Sequence, residues 1–244
     1  MKGAPIKVAI ITGGSRGLGA ALCAHYLQAG WQVIEFSRTA PSSYSVKLDL
    51  ASPREAATVL RATLAAVVAE RVAELVAINN AAVLGPVGPV GSSDAAAIAR
   101  HFSVNVATAA VFANAIVDAF QTVECPKTFV NISSGAAERV YAGWSLYCAS
   151  KAALEALVRS MALEQAALEH PIRAININPG VMDTAMQAEV RAASVAEFPS
   201  LDRFVRLHAE GGLADPFAVA AEIAHLIASR PEPGLTYAIQ RQAR

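Results

Sequence analysis

A tyrosine and a lysine four residues apart, Tyr147 and Lys151, are the residues whose types and spacing point most directly to chemistry. They lie in an alanine-rich apolar stretch that predicts a helix, in which a spacing of four places two side chains on one face. A phenol titrates near ~10, too high for efficient proton transfer at neutral pH, and an adjacent cation lowers that pKa by favouring the phenolate. The pair is therefore a candidate acid–base catalyst, although a structural tyrosine beside a solvated lysine has the same spacing.

Five short β-branched runs, separated by longer alanine-rich segments of helical periodicity, must position this pair. The runs cover residues 7–12, 32–37, 75–79, 128–133 and 173–178. This alternation predicts an α/β fold: a single-domain, doubly wound (Rossmann) parallel sheet with helices on both faces. No composition shift or repeat marks an internal boundary, so the predicted domain spans residues 1–244.

Ligands bind to such sheets beyond the carboxyl ends of the strands. Every predicted strand is followed there by residues suited to binding or chemistry. These residues are 12–19, 37–38, 79–82, 133–135 and 178–184. The topology therefore predicts that they gather at one edge of the sheet.

The first of these segments is a glycine-rich turn with the sequence TGGSRGLG, between the first strand and a helix that begins near Leu18. Glycines let a pyrophosphate approach the backbone closely, and a helix N-terminus offers free N–H groups and a favourable dipole. The turn predicts a dinucleotide site, with a plain tight turn as the alternative.

The residues at the end of the second strand indicate which dinucleotide the site binds. An acidic residue there holds the free ribose of NAD, whereas a 2′-phosphate requires cations. The chain has Ser37 and Arg38 at this point, with Arg16 in the first turn. Because a guanidinium can bind a phosphate through two charge-assisted hydrogen bonds, the sequence predicts NADP(H) rather than NAD(H). A solvated surface arginine at position 38 is the alternative.

Composition excludes several other classes. With 20 basic and 20 acidic residues the chain has no excess charge for nucleic acid, and no eighteen apolar residues follow one another as in a membrane span. We therefore expect a soluble cytoplasmic protein without a membrane partner. The five histidines have no metal-ligand spacing, so no metal is predicted. The three cysteines fit reduced thiols, and Cys148 is either a small core residue or a nucleophile beside Tyr147.

Residues 185–212 form the segment least bound to a regular pattern, between a Pro-Gly turn and a helix start at Asp215 and Pro216. Because the segment follows a strand end, it is predicted to be a substrate loop, either a mobile lid or a surface excursion.

The motifs, taken in order, resemble the signature elements of the short-chain dehydrogenase/reductase family. They are TGGSRGLG from Thr12, NNAA from Asn79, an asparagine at Asn105, NISS ending at Ser134, YCASK from Tyr147 and NPGVMDT from Asn178. The resemblance spans nearly the whole chain. Ala82 departs from the pattern, because the family more often has glycine there.

The resemblance implies hydride transfer between a nicotinamide and a substrate carbonyl, with Tyr147 as the general acid. Ser134 would hold the carbonyl oxygen, and Ser133 is its rival, expected instead to point into the sheet or cap the strand end. Lys151 would lower the Tyr147 pKa and bind the nicotinamide ribose. Asn105 would hold a water that leads protons toward the lysine, or else kink or cap the helix. The implied catalytic residues are Asn105, Ser134, Tyr147 and Lys151.

The same resemblance implies the coenzyme contacts. Thr184 would bind the carboxamide, assisted by the backbone near Met182, and Asp49 would meet the adenine, with a turn-forming aspartate as the alternative. The implied coenzyme-binding residues are Gly13, Ser15, Arg16, Gly17, Leu18, Gly19, Ser37, Arg38, Asp49, Asn80, Ala81, Tyr147, Lys151, Pro179, Gly180, Met182 and Thr184.

Within the family, the stretches GWSLYCASKAALEAL and NPGVMDTAMQ are most similar to sepiapterin reductases and to benzil (diketone) reductases. The tail at 234–239 lacks the acidic side chain expected to hold a pterin. The resemblance therefore implies an NADPH-dependent reductase of a ketone or diketone, with a pterin carbonyl as the alternative. A non-catalytic NADP-binding sensor and a lyase or epimerase are the hypotheses from other classes. The apolar segments 95–120 and 145–167 predict a homodimer or homotetramer.

Overall fold

The computed structural model describes residues 4–239, so both ends of the predicted 1–244 domain lie outside it. Seven parallel strands form one sheet in the order β3-β2-β1-β4-β5-β6-β7. The strands are β1 (Ile6–Thr12), β2 (Gln32–Ser37), β3 (Ser45–Lys47), β4 (Val72–Asn79), β5 (Lys127–Ile132), β6 (Arg173–Asn178) and β7 (Thr236–Ala238). The order reverses between β1 and β4, which is where a doubly wound sheet opens its ligand crevice.

Helices cover both faces of the sheet. They are α1 (Gly17–Gln28), α2 (Pro53–Val68), α3 (Ala95–Phe102), α4 (Thr108–Phe120), α5 (Ser145–Gln165), α6 (Ala185–Ala192), α7 (Leu201–Ala209) and α8 (Pro216–Ala228). A π turn, Ser103–Ala107, joins α3 to α4. The predicted helix start at Asp215 is confirmed, because its carboxylate accepts hydrogen bonds from the N–H groups of Phe217 and Ala218.

Two hydrophobic cores, one on each face, explain the unbroken apolar strands. Val8 and Ile10 pack into the core under α2, α4 and α5, whereas Ala9 and Ile11 pack into the core under α1 and α8. Successive side chains of a strand point to opposite faces, so a strand buried on both faces must be apolar throughout.

The predicted fold class is confirmed, and all five predicted strands are present with ends shifted by three residues at most. The edge strands β3 and β7 were not predicted, because three residues are too few to show a pattern. Segment 185–212 is also more regular than expected, since it contains α6 and α7. Its apolar residues Val190, Phe198 and Phe204 pack into one buried cluster with Trp144 and Tyr147, which stabilises the two helices.

The continuous helical segment Ala95–Phe120 is long and apolar enough, by length and composition alone, to cross a membrane. Its residues Phe112, Ile116 and Phe120 are completely buried in the core beneath the sheet. A single helix of this kind is weak evidence for a membrane span, because a core helix has the same composition.

Candidate active site

Tyr147 and Lys151 lie on the first turns of α5, beside the carboxyl end of β5. Both side chains are buried, at 7 % and 4 % exposed. The Lys151 Nζ lies 5.7 Å from the centre of the Tyr147 ring and donates a hydrogen bond of 2.8 Å to the carbonyl of Ile132. Ser134, which follows β5, lies close enough to the Tyr147 hydroxyl to act on its pKa. The structure thus brings together three of the four predicted catalytic side chains.

The environment of Tyr147 changes the expected electrostatics. Burial raises the pKa of Tyr147 to about 12, partly offset by Ser134 and increased by Cys148. The net shift of this pKa is upward, which is opposite to the lowering by Lys151 that the sequence predicts. The reason is that the loss of hydration dominates, while the ammonium donates to the Ile132 carbonyl.

Burial also acts on Lys151, in the opposite direction because the charged form is the protonated one. It lowers the pKa of Lys151 to about 8, while the carboxylate of Glu155 acts to raise it. Lys151 therefore changes its charge near physiological pH, which a lysine in water does not do.

The structure distinguishes the two serines after β5. Ser133 donates a hydrogen bond to the carboxylate of Glu155, on α5 and one helical turn beyond Lys151. The sequence predicts that this hydroxyl points into the sheet or caps the strand end. It does neither, and instead it fixes α5 against β5. The Ser134 hydroxyl accepts from the Ala136 N–H at 3.2 Å and faces Tyr147.

Asn105 lies in the π turn between α3 and α4, and its amide is bound to the segment after β4. Its Oδ1 accepts from the Val83 N–H and its Nδ2 donates to the Val83 carbonyl, both at 2.8 Å. These two bonds give the side chain a structural role, because they fix the π turn to the segment after β4 instead of capping a helix end. A water-holding role for Asn105 stays a prediction.

The glycine-rich turn is held by the segment after β4. Asn80 donates from Nδ2 to the carbonyls of Thr12 and Gly13 at 3.1 and 3.0 Å, and the N–H groups of Asn80 and Ala81 bind the Thr12 hydroxyl. A Cβ on Gly19 would clash with the Gly13 carbonyl, so glycine is required there. The turn is therefore a fixed backbone surface at the switch point of the sheet.

The N-terminus of α1 fits an anionic group. Gly17 begins the helix, and Arg16 before it makes no side-chain capping bond. The first turn of α1 contains no acidic residue, so no carboxylate competes for its N–H groups. A Cβ on Gly17 would lie 3.4 Å from the Thr184 methyl group, which places Thr184 across the crevice. This arrangement suits the pyrophosphate of a dinucleotide.

The end of β2 carries a buried serine and an exposed arginine. The Ser37 hydroxyl accepts from the Ala40 N–H at 3.1 Å, and Arg38 is exposed. Within residues 4–239, Arg38 and Arg16 form no salt bridge. Asp49, after β3, accepts from the Ala51 N–H at 3.0 Å, which is the turn-forming alternative, and its contact with adenine stays a prediction.

The predicted nicotinamide side is built by the turn after β6. Asn178 accepts from the Gly180 N–H at 3.1 Å, Pro179 is buried between them, and Met182 pairs with Ala214. Thr184 precedes α6 and makes no side-chain capping bond within the described chain. Its hydroxyl is thus available at the same edge of the sheet as the glycine-rich turn.

An aromatic cluster covers the Tyr147 side of the site. Trp144 stacks on Phe198 with ring centres 4.4 Å apart and planes inclined by 10°, and its edge meets Tyr147 at 5.8 Å. Tyr141 and Phe204 complete the cluster. Phe198 and Phe204 belong to segment 185–212, which is therefore packed over the site. Its motion as a lid stays a prediction.

Glu35, His101 and Ser150 are site residues that sequence reasoning missed. Glu35 is completely buried on β2 and accepts from the Gly14 N–H at 2.9 Å, which supports the glycine-rich turn from below. Its signal was an acidic residue inside the apolar run QVIEFS, which predicts burial with a specific partner. His101 and Ser150 contact Asn105 and had no such signal.

A doubly wound parallel sheet, a glycine-rich turn at its switch point and the set of Ser134 with the buried Tyr147 and Lys151 define a Rossmann-fold oxidoreductase. Comparison with known proteins agrees. The chain belongs to the short-chain dehydrogenase/reductase family: the family model described as short chain dehydrogenase matches residues 7–194. Members of this family use NAD or NADP.

Individual relatives are similar over almost their whole length. The chain is 34 % identical over 240 residues to a benzil reductase, (S)-benzoin forming, of Bacillus subtilis, with 96 % of this chain and 99 % of the relative covered. It is 31 % identical over 243 residues to a sepiapterin reductase of Rattus norvegicus, with 90 % of each covered. The crystal structure of the KRED1-Pglu enzyme is 30 % identical with a TM-score of 0.80, over 94 % of this chain and 99 % of that one.

Proposed function

We propose that this oxidoreductase is an NADPH-dependent carbonyl reductase that transfers a hydride to a ketone or diketone. The observation that carries the proposal is the burial of Tyr147 and Lys151 one helical turn apart on α5, with Ser134 close enough to the Tyr147 hydroxyl to lower its pKa. Two neighbouring hydroxyls can hold one carbonyl oxygen, and one of them can give it a proton. A reductase needs this arrangement, whereas a sensor does not.

Each side chain has a separate task in this proposal. NADPH, when bound, supplies the hydride. Ser134 donates a hydrogen bond to the substrate carbonyl oxygen and orients it toward Tyr147. Tyr147 gives its proton to that oxygen as negative charge develops there, and its high pKa keeps the proton in place until then. Lys151 donates to the coenzyme ribose and stabilises the negative charge left on the phenol oxygen.

The proposed preference for NADPH rests on charge at the end of β2. Arg38 is exposed there and meets no carboxylate within the described chain, and Glu35, three residues earlier, is buried against Gly14. A 2′-phosphate bound there would lie beside the Arg38 guanidinium, with no exposed carboxylate at the end of β2 to repel it. Arg16 and the Ser37 backbone complete the proposed phosphate site.

Arg38→Gln is expected to lower kcat/KM with NADPH by about 10- to 150-fold, since hydrogen bonds to a charged group are worth about 1.5–3 kcal/mol. Activity with NADH should change little, because NADH lacks the 2′-phosphate. Steady-state kinetics with both coenzymes measures the ratio. Arg61→Gln, at an exposed arginine of α2, is the matched control and should leave the ratio unchanged. A wild-type preference for NADH would overturn the proposal.

The substrate class follows from the walls of the site. Trp144 lies beside Tyr147, next to the half-buried Tyr141 and with the completely buried Phe198 stacked behind it, and these aromatic surroundings favour an aryl ketone or an aryl diketone. The benzil reductase of Bacillus subtilis is named for such a substrate. A pterin carbonyl is the alternative supported by the sepiapterin reductase relative, but the tail at 234–239 offers no acidic group to hold it.

The experiment that tests this proposal follows NADPH oxidation with benzil, a simple aliphatic ketone and sepiapterin. Benzil is expected to give the highest kcat/KM. Trp144→Leu should lower the benzil-to-ketone ratio of kcat/KM by about 2- to 12-fold, the value of one aromatic pair. Phe112→Leu, which alters an aromatic pair with Phe129 in the core, should leave the ratio unchanged. No turnover of any carbonyl compound, with NADPH binding intact, would favour the sensor hypothesis.

The cellular setting is part of the same proposal. We expect a soluble cytoplasmic enzyme that acts on a small carbonyl or alcohol substrate without nucleic acid or membrane. Homo-oligomerisation through α4 and α5 is supported by the exposed Leu163 on α5 and by the alanine-rich surfaces of both helices.

A further inference from the structure

We propose that His101 is a positioning residue, which stabilises the orientation of Asn105 and through it fixes the turn of α5 that carries Tyr147 and Lys151. This inference rests on the proposed reductase function and deepens it. His101 is 1 % exposed and lies on α3, one helical turn before Asn105. It touches neither of the proposed reacting residues, so it would act only through its neighbours.

The imidazole connects three parts of the site. Its Nδ1 lies 2.8 Å from the Gly85 carbonyl, in the segment after β4. Its Nε2 lies 3.2 Å from the Asn105 Nδ2 and 3.3 Å from the Ser150 hydroxyl, on α5. These are the segments that hold the glycine-rich turn, the π turn and the proposed catalytic pair.

The partners determine the tautomer of His101. The Gly85 carbonyl only accepts, so Nδ1 must carry the proton. The Asn105 Nδ2 only donates, and the Val83 N–H bound to Oδ1 fixes Nδ2 as the amide atom that faces the ring, so Nε2 must be the acceptor. The proton of the imidazole is therefore on Nδ1.

This tautomer matches the direction of the Asn105 amide. Val83 sets that direction, because its N–H binds the amide oxygen and its carbonyl binds Nδ2. The other Nδ2 hydrogen is shared by the His101 Nε2 and by the Ser150 oxygen at 3.3 Å. If the amide were turned over, its oxygen would face both the acceptor nitrogen of His101 and the Val83 carbonyl, so the imidazole reinforces the orientation that Val83 requires.

Ser150 connects the hydrogen bonds of His101 and Asn105 to the helical turn that contains the proposed catalytic pair. It is completely buried, immediately precedes Lys151, and binds the Tyr147 carbonyl one turn back. A displacement of about 1 Å in a reacting group can cost about 10²-fold in rate. Loss of the Nε2 acceptor should therefore act mainly on kcat and leave coenzyme affinity almost unchanged.

Two amide substitutions of His101 test the roles of its two ring nitrogens separately. The oxygen of Gln can occupy the position of Nε2 and accept from Asn105, whereas the amide nitrogen of Asn can occupy the position of Nδ1 and bind Gly85. With benzil and saturating NADPH, we expect H101N to lower kcat by about tenfold or more and H101Q by less than about threefold. The NADPH Kd should stay within about twofold in both.

Equal losses of kcat in the two variants, or losses that follow their melting temperatures, would overturn the inference. Gln165→Leu is the matched control for stability. Gln165 is a buried residue at the far end of α5, where it binds Gln121 and the Ile172 N–H. This control should lower Tm without lowering kcat.

A second measurement does not depend on activity. In the ¹⁵N NMR spectrum of the wild-type protein labelled at histidine, His101 should show a protonated Nδ1 and an unprotonated Nε2 at neutral pH. The opposite tautomer, or an imidazolium, would overturn the inference even if H101N could not be folded. Failure of the wild type to reduce any carbonyl compound would instead overturn the proposed function, whatever the tautomer.

Discussion

Tyr147→Phe is expected to lower kcat for carbonyl reduction by about 10²- to 10⁴-fold, the usual contribution of a positioned general acid. The phenylalanine ring can keep the edge contact with Trp144 and fill the same buried volume, so only the hydroxyl is removed. Because the phenol serves the reaction and not the coenzyme, the NADPH Kd should change less than about twofold. Pre-steady-state turnover of benzil and NADPH fluorescence titration measure the two quantities.

Tyr141→Phe provides the matched control for this substitution. Tyr141 belongs to the same aromatic cluster, but its hydroxyl accepts from Arg203 at 3.2 Å at the surface. Removing that hydroxyl should leave kcat nearly unchanged. If Tyr147→Phe retained a third or more of the wild-type kcat, proton donation would have to come from another group.

Lys151→Met is expected to have the second large effect, lowering kcat/KM by about 10²- to 10⁴-fold and weakening NADPH binding as well. Methionine has a similar length but cannot donate to a ribose or stabilise a phenolate. It also leaves the Ile132 carbonyl without its donor. Combined loss of rate and coenzyme affinity distinguishes this variant from Tyr147→Phe, and the same kinetics and titration measure it.

Lys127→Met is the control for burying a methionine in place of an ammonium. Lys127 is 3 % exposed and lies at the start of β5, at the end of the sheet opposite to the proposed active site. It donates hydrogen bonds to the carbonyls of Gln121 and Val123. Burial lowers its pKa too. Its replacement should change Tm but not kcat, and an equal kinetic loss in both variants would contradict the role of Lys151.

The Lys151 pKa gives opposite pH trends for binding and stability. Since folding lowers this pKa from 10.5 to about 8, the folded chain binds fewer protons than the unfolded chain between these values. The contribution of Lys151 to the free energy of unfolding should therefore rise with pH across this window and be constant below it. NADPH affinity should fall above pH ~8, where the ammonium loses its proton. Both trends should be absent in Lys151→Met, as urea unfolding and coenzyme titration at several pH values can show.

The doubly wound sheet was predictable from the sequence because its signals are local. An apolar run such as residues 8–11 of β1 must be buried on both faces wherever it lies, and a glycine-rich turn between strand and helix has few conformations available. The parallel topology then brings every strand-end residue to one edge, which is why Ser134, Tyr147 and Thr184 converge although they are far apart in the chain.

The sequence by itself therefore determined the fold class and the family, and it predicted the residues proposed for the crevice. Only the tertiary structure decided how those residues behave: that Tyr147 holds its proton more tightly than in water, that Lys151 holds its proton less tightly, and that the Asn105 amide lies between Val83 and His101. The physical reason is that periodicity acts between neighbours in sequence. Loss of hydration and the direction of a hydrogen bond depend instead on all the groups packed around an atom, which the chain brings together from distant elements.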